Sequence, residues 1–250
     1  DSDQGTASAV VFNNDYAGKK VGIFFKADDD YSVGIKDNFV KALDASFGTP
    51  VMASFTDATA SSFTQQVSEL KDCDVIFMPI YYDPAALFMK QGNGIIKSDA
   101  VYYGCDGLDG IDAVEGFDIT SITQGVSYLS HFNSNTTEGA AKSYIDAYKA
   151  KFGNDAPLNQ FGAAAYDCVY AIFEAMKASG ADIKANISAS DLCDILKGEF
   201  DSDFVFRGIT GAPEADGKST ITWTDKDGNA TNGHVNKTPV SYTVKEVTNA

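Results

Sequence analysis

The chain has 250 residues, of which 44% are hydrophobic, and a formal net charge of −16. This length has room for one large α/β domain or two lobes, and the absence of any run of about 18 apolar residues predicts no transmembrane helix. The acidic balance argues against nucleic acid as a partner, because phosphates are neutralised by Lys and Arg, and it disfavours anionic membrane surfaces.

Residues 1–130 alternate between helical and strand patterns. Residues 1–16 have helical spacing, and Gly18 ends that helix. A second helix is expected from about Ser32, a residue suited to the N-cap, and further helices at 61–70 and 85–90. Apolar runs predict strands at 21–25, 51–55, 74–80, 100–104 and 126–130. This alternation predicts an α/β lobe with a parallel sheet and helices on both faces.

Residues 131–225 have a different character. After a polar connector, three helical patterns follow at 144–152, 161–176 and 190–196, with hardly a strand between them. An apolar helix stripe must be buried against something. Either these helices pack on one another, or the sheet that covers them is missing from this chain. Residues 226–250 predict a hairpin and a last strand near 240–244.

Polar residues follow three of the predicted strands, at 28–31 (DDDY), 81–83 (YYD) and 105–109 (CDGLD). Because the carboxyl ends of parallel strands meet at one edge of a sheet, these residues are expected to converge. A carboxylate takes the charge and the hydrogen bonds of an ammonium group, and each aromatic ring adds cation–π attraction of about 0.5–2 kcal/mol. The sequence therefore predicts a site for a cation.

The same strand ends leave an enzyme open as an alternative. Carboxylates there suit Mg²⁺, although neither G-x-x-x-x-G-K-[ST] nor G-x-G-x-x-G is present to cradle a phosphate. Paired-carboxylate hydrolysis stays open in principle, and a Cys105 thiolate has little support without a nearby His. Residues 225–229 resemble a calcium loop only faintly, and a hairpin turn on Asp-Gly is favoured.

Four cysteines in a chain of this length do not form a disulfide scaffold. Cys73 and Cys105 lie at opposite ends of neighbouring predicted strands and are not expected to pair. Cys168 and Cys193 lie on successive helices and are the candidates for a disulfide. No two cysteines have C-x-x-C spacing and the two histidines are far apart, so no zinc site is predicted.

Seven short motifs occur in a recognisable order, namely DSDQG (1–5), DYSVG (30–34), DVIFMPIYYDPAAL (74–87), GCDG (104–107), AYKAKFG (147–153), AYD (165–167) and FRGITG (206–211). In order and spacing they resemble solute-binding proteins of the leucine/isoleucine/valine-binding type, which have the type I periplasmic binding fold and serve ABC importers. One departure is Ser32, which stands where Gly is common in that family.

The resemblance implies a set of ligand contacts. It places tyrosines of the second lobe at Tyr31 and Tyr82, with Tyr81 as the alternative because the register there is open by one residue. It places the carboxylate that holds the α-ammonium of the ligand at Asp106, and an aromatic residue of the first lobe at Phe161. These positions agree with the cation site expected from the strand ends.

The family chain begins with a long segment that builds most of lobe one, and nothing here matches it. The resemblance thus implies a complete α/β lobe two at 1–130, an incomplete lobe one of mainly helices at 131–225, and a hairpin and strand at 226–250 that return towards lobe two. If so, an apolar patch should be exposed on residues 138–200.

The function implied is capture of a small amino acid, aliphatic or otherwise apolar, by hinge closure, without cofactor and without chemistry. The partner implied is the membrane permease of an ABC importer. The chain begins with a polar stretch and no signal peptide, which is compatible with a cytoplasmic protein and with an exported one that has lost its leader. The resemblance favours a periplasmic or cell-surface location, lipid-anchored in the full-length parent, and leaves a ligand-sensing receptor ectodomain as an alternative.

Overall fold

The computed structural model describes residues 3–225, 227–231 and 234–248. Parts of the predicted segments at both ends, residues 1–2, 226, 232–233 and 249–250, lie outside the described residues. The chain forms two compact units. The first contains residues 1–130 and 241–250, and the second contains residues 131–240.

The helices are α1 (Asp3–Asp15), α2 (Asp30–Ala42), α3 (Thr64–Leu70), α4 (Tyr82–Gly92), α5 (Gly139–Phe152), α6 (Gln160–Ala178) and α7 (Ala189–Phe200). The strands are β1 (Val21–Lys26), β2 (Val51–Phe55), β3 (Val75–Met78), β4 (Val101–Gly104), β5 (Gly125–Ser130), β6 (Val205–Gly208), β7 (Ser219–Thr222) and β8 (Val240–Lys245). No described helix is long and apolar enough to cross a membrane.

The first unit is built on a six-stranded sheet in the order β2-β1-β3-β4-β5-β8. The pairs β1–β2, β1–β3, β3–β4 and β4–β5 are parallel, and Ile23 lies beside Phe77 in the register of the central pair. The predicted α/β fold with a parallel sheet is confirmed. The central strands β3 and β4 are buried on both faces, which is why they read as continuous apolar runs.

Aromatic side chains fill both layers beside this sheet. On one face, Phe24 stacks on Phe88 with ring centroids 4.2 Å apart. On the other face, Phe77 stacks on Phe39 at 4.1 Å. All four side chains are fully buried. The alternation of side chains along each strand sends neighbouring residues to opposite layers, so a single apolar run supplies both cores.

Ser32 does not cap α2, and the prediction that it would was wrong. The helix begins two residues earlier, at Asp30, with Asp29 in the N-cap position. Ser32 is fully buried, and its hydroxyl accepts a hydrogen bond from the backbone N–H of Lys26 at 2.8 Å. This bond ties the end of β1 to the first turn of α2 and fixes the course of the acidic loop between them.

The second unit consists of α5, α6, α7 and the antiparallel pair β6–β7, in which Phe206 lies beside Ile221. Its buried apolar groups are small clusters, one around Phe132 and Ile145 and one around Phe206 and Ile221. The predicted hairpin turn closes with Asp225 N–H donating to the Asn229 carbonyl at 2.8 Å.

The four cysteines are free. The candidate disulfide between Cys168 and Cys193 is therefore not formed, and both thiols are exposed. Cys73 and Cys105 are buried and, as expected, unpaired with one another.

Candidate functional site

The site lies at the carboxyl edge of the sheet in the first unit. Tyr31 lies in the first turn of α2 after β1, Tyr81 precedes α4 just after β3, and Asp106 follows β4. Since β1, β3 and β4 are neighbours in one parallel sheet, these three residues meet at one edge. The convergence that the sequence predicts is present for Tyr31, Tyr81 and Asp106.

A hydrogen bond joins the first and third of these strand ends. The Tyr31 hydroxyl donates to Asp106 Oδ1 at 2.6 Å and accepts from the backbone N–H of Gly107 at 3.0 Å. Asp106 is only half-buried, and its Oδ1 accepts this hydrogen bond from the uncharged phenol of Tyr31. Tyr31 therefore orients the Asp106 carboxylate.

The backbone of the Asp106 turn is held from a second direction. Gln4 on α1 is buried, and its side-chain oxygen accepts a hydrogen bond from the Asp106 N–H at 3.0 Å. Gly107 leaves room for this packing, because a Cβ there would lie 2.7 Å from the Ile80 carbonyl oxygen and 2.8 Å from the Tyr31 hydroxyl. Gln4 is not among the predicted site residues. The signal for it is a lone amide among the buried residues of α1, which are otherwise Gly5, Ser8, Ala9 and Phe12.

Tyr81 provides the exposed aromatic surface of the site. Its ring stacks on that of Tyr31, with centroids 4.9 Å apart and an interplanar angle of 21°, and its side chain is 48% exposed. Tyr82 is the first residue of α4 and lies beside Gly110. The geometry thus brings Tyr81 rather than Tyr82 into the stacked pair with Tyr31.

Burial keeps the hydroxyls of Tyr31 and Tyr81 and the thiol of Cys105 protonated. The pKa of Tyr31 is raised well above its usual value, chiefly by burial and then by Cys105 and Asp106. The pKa of Tyr81 is raised by burial, Asp29 and Asp106. Burial also raises the pKa of the Cys105 thiol, whose sulfur lies 3.7 Å from the Ser8 hydroxyl. Both tyrosines are therefore neutral at neutral pH, and Cys105 is a buried thiol rather than a nucleophile.

The sequence also singles out Asp28 and Phe161. Asp28 accepts a hydrogen bond from the Asp57 N–H at 3.0 Å, so it holds the loop that follows β2. Phe161 belongs to the second unit, where it is exposed in the first turn of α6. The described residues contain no group of three or more His, Cys, Asp and Glu side chains placed to hold a metal ion.

Comparison with family models gives a match over residues 1–233 to the model described as periplasmic binding protein. The chain belongs to the periplasmic binding protein family. The resemblance drawn from the motifs is thereby confirmed, and proteins of this family and its solved structures are binding proteins rather than enzymes. A comparison with curated proteins gave no match.

Solved structures of periplasmic binding proteins share the fold. The leucine binding protein LivK of Thermotoga maritima is 22% identical, with a TM-score of 0.65, and the match covers 95% of this chain and 64% of that one. LivJ of Streptococcus pneumoniae, solved with isoleucine, is 26% identical, with a TM-score of 0.66 and coverage of 97% and 64%. A Rhodopseudomonas palustris protein solved with benzoate is 15% identical, with a TM-score of 0.65 and coverage of 100% and 66%. The chain spans under two thirds of each of these relatives.

Proposed function

We propose that this protein binds a free amino acid with an apolar side chain and delivers it to an ABC importer. The observation that carries the proposal is the Asp106 carboxylate, half-buried at the meeting of three strand ends and hydrogen-bonded to the Tyr31 hydroxyl. An α-ammonium group is the ligand that a carboxylate in such a setting holds best.

The ring of Tyr81 supplies the second part of the proposed site. It is half-exposed and backed by the ring of Tyr31, so its free face is presented without a need to reorganise. An aromatic face attracts an ammonium group and also packs against an aliphatic side chain. In this proposal Asp106 and Tyr81 contact the ligand, and Tyr31 positions Asp106.

The named ligands of the relatives support an amino acid. The Thermotoga maritima relative is a leucine binding protein, and the Streptococcus pneumoniae relative was solved with isoleucine. Benzoate, found in the Rhodopseudomonas palustris relative, is an anion without an ammonium group. The Asp106 carboxylate would repel such an anion. The charge of Asp106 therefore favours an amino acid over benzoate as the ligand.

The remaining parts of the proposal follow from the family. The first unit corresponds to lobe two, and the second corresponds to an incomplete lobe one that contributes Phe161. The protein acts outside the cytoplasm, performs no chemistry on its ligand and passes it to a membrane permease. An enzyme using Mg²⁺ or carboxylate catalysis at these strand ends is not favoured by the family.

Titration followed by amide NMR tests the proposal on the chain as it stands. Leucine and isoleucine are expected to shift the amide resonances of Tyr81 and Gly107, and Asp106→Asn should weaken binding about tenfold or more, because a charged hydrogen-bonded partner is lost. Asp37→Asn, on the exposed side of α2, is the matched control and should bind as the parent does. Equal binding by Asp106→Asn, or shifts with benzoate and not with leucine, would contradict the proposal.

A further inference from the structure

Asp106 is followed directly by Gly107, and an Asp-Gly pair is open to a spontaneous covalent change in water. The backbone N of the glycine attacks Cγ of the aspartate, because glycine has no side chain to obstruct the approach. An N–Cγ bond forms, and one carboxyl oxygen takes the amide proton and a solvent proton and leaves as water. The product is a five-membered succinimide ring.

Hydrolysis of that ring decides the outcome for the carboxylate. Water opens the ring at Cγ and restores aspartate, or opens it at the main-chain carbonyl carbon and gives isoaspartate. One water leaves and one returns, so no other reactant is needed. In isoaspartate the main chain runs through Cβ and Cγ, so the carboxylate at position 106 would be displaced from the Tyr31 hydroxyl that now holds it.

Packing prevents a larger residue from replacing the glycine of this pair. A Cβ on Gly107 would lie 2.7 Å from the Ile80 carbonyl oxygen and 2.8 Å from the Tyr31 hydroxyl. A side chain at this position is the simplest obstacle to the attack, and the fold excludes it. The site therefore combines a carboxylate with the neighbour that makes it most reactive.

Both reacting groups of this pair are hydrogen-bonded to one hydroxyl. The Tyr31 hydroxyl donates to Asp106 Oδ1 at 2.6 Å and accepts from the Gly107 N–H at 3.0 Å. Ring closure requires the carboxyl group to turn its carbon towards the Gly107 nitrogen, and that nitrogen must lose its proton. The first movement breaks the bond to Oδ1. Burial raises the pKa of Tyr31, so the phenolate that could take the amide proton does not form at neutral pH.

The backbone of the turn is held as well. The Asp106 N–H donates to the Gln4 side chain at 3.0 Å, and the Asp106 carbonyl accepts from the Asp109 N–H at 3.0 Å. Ring closure requires rotation about the bond between Cα and the carbonyl carbon of Asp106. That rotation moves the carbonyl away from Asp109 and the Gly107 nitrogen away from Tyr31, so the reaction must begin from an opened turn.

We propose that the Tyr31 hydroxyl protects the Asp106–Gly107 pair from conversion to isoaspartate. Tyr31 then preserves the carboxylate chemically in addition to orienting it. The reaction proceeds only from the open conformations of the turn, and the two Tyr31 hydrogen bonds keep their population low. The inference does not depend on the proposed amino-acid ligand, because isoaspartate forms in the chain without any ligand.

Ageing of the intact chain at neutral pH tests this inference. Isoaspartate at each Asp-Gly pair is measured by fragmentation mass spectrometry of tryptic peptides, with methylation by a protein isoaspartyl methyltransferase as a second readout. Tyr31→Phe keeps the ring and loses both hydrogen bonds, so isoaspartate should form at Asp106 about fivefold faster or more. The exposed Asp227–Gly228 pair of the hairpin turn is the internal standard and should react equally in parent and variant.

Two further variants separate protection from general loosening. Ile35→Val, at a fully buried position of the same helix α2, is the matched control and should leave the rate at Asp106 unchanged. Gln4→Met removes the acceptor of the Asp106 N–H and should raise that rate. In the parent, the rate at Asp106 should be far lower in buffer than in urea, a comparison that requires no variant to fold.

Three results would overturn the proposal. The first is a parent chain in which Asp106 forms isoaspartate as fast in buffer as in urea. The second is a folded Tyr31→Phe variant with the rate of the parent. The third is an Ile35→Val variant accelerated as much as Tyr31→Phe, since the effect would then reflect stability alone.

Discussion

The buried carboxylate of Asp167 holds Thr210 by two hydrogen bonds, from its backbone N–H at 2.8 Å and from its hydroxyl at 2.6 Å. The same carboxylate accepts the N–H of Ile209 at 3.0 Å. Asp167 belongs to the AYD motif on α6, and Thr210 belongs to the FRGITG motif after β6. Two motifs that are distant in sequence thus form one structural connection, in which a carboxylate satisfies the backbone of a turn.

Asp167→Asn should therefore destabilise the second unit. The side-chain N–H₂ of Asn would face groups that now donate hydrogen bonds to the carboxylate. A buried donor left unsatisfied costs about 1–3 kcal/mol. Hydrogen exchange is expected to quicken at residues 205–211, and the melting temperature should fall. Asp194→Asn, on exposed α7, is the control and should change neither. Unaltered exchange at 205–211 in Asp167→Asn would show that these bonds contribute little.

Tyr31→Phe should separate the role of the hydroxyl from that of the ring. The ring stack with Tyr81 is retained, while the Asp106 carboxylate loses the Tyr31 hydroxyl as a donor and the Gly107 N–H loses it as an acceptor. Under the proposed function, affinity for leucine should fall about tenfold and stability by about 1–3 kcal/mol. Tyr81→Phe keeps the ring face and should change affinity little. If Tyr31→Phe binds leucine as tightly as the parent, Tyr31 does not position Asp106.

Gly107→Ala should damage the site by a steric route. An added Cβ would lie 2.7 Å from the Ile80 carbonyl oxygen and 2.8 Å from the Tyr31 hydroxyl, so the turn that carries Asp106 must move. We expect a lower melting temperature and broadened or shifted amide resonances for Asp106 and its neighbours. Gly198→Ala is the control, because a Cβ at that position of α7 meets nothing within 4 Å. It should raise stability slightly, since Ala favours a helix.

The ion pair of Asp74 and Lys97 should make part of the stability depend on pH. The pKa of Asp74 is lowered from 3.8, first by its hydrogen bond to Lys97 and then by the Lys20 N–H. A lowered folded-state pKa contributes stability that is present above pH 3.8 and is lost as the pH falls through the folded-state value. The melting temperature of Asp74→Asn should lie below that of the parent at pH 7, and the gap should close in acid. Asp72→Asn, at an exposed neighbouring carboxylate, should show no comparable gap.

Phe77→Ala should test the packing of the α1–α2 layer. Phe77 is fully buried and its ring stacks on that of Phe39 at 4.1 Å. Truncation of a buried Phe to Ala removes apolar burial and leaves a cavity, at a cost of about 3–5 kcal/mol. Urea unfolding followed by circular dichroism should show this loss. Met52→Ala, at a 42% exposed position of β2, should cost far less.

Much of the fold could be predicted because its signals are local. The apolar runs at 51–55 and 100–104 gave the strands β2 and β4 within a residue of their observed bounds, since an apolar run bounded by polar turns is read from neighbouring residues alone. The edge at which Tyr31 and Asp106 meet also followed from the order of strands and helices, because parallel strands end together.

The details of the site could not be predicted in this way. Ser32 has the residue type of an N-cap, yet packing places its hydroxyl on the Lys26 N–H. Tyr81 and Tyr82 are adjacent tyrosines, and the choice between them depends on the rotation of the chain as it enters α4. Gln4 reaches Asp106 across 102 residues of sequence, and no local pattern encodes such a partner.

The sequence by itself determined the class of fold, the edge of the sheet at which the polar residues gather and the family to which the chain belongs. Periodicity, turn residues and motif order are properties of short segments, so they can be read from the sequence alone. Only the tertiary structure decided that Tyr31 holds Asp106, that Asp167 holds Thr210 and that the outer side of α6, with Val169 and Phe173, is exposed. Those relationships depend on which side chains of distant segments come within hydrogen-bond or van der Waals distance, and that is fixed by packing.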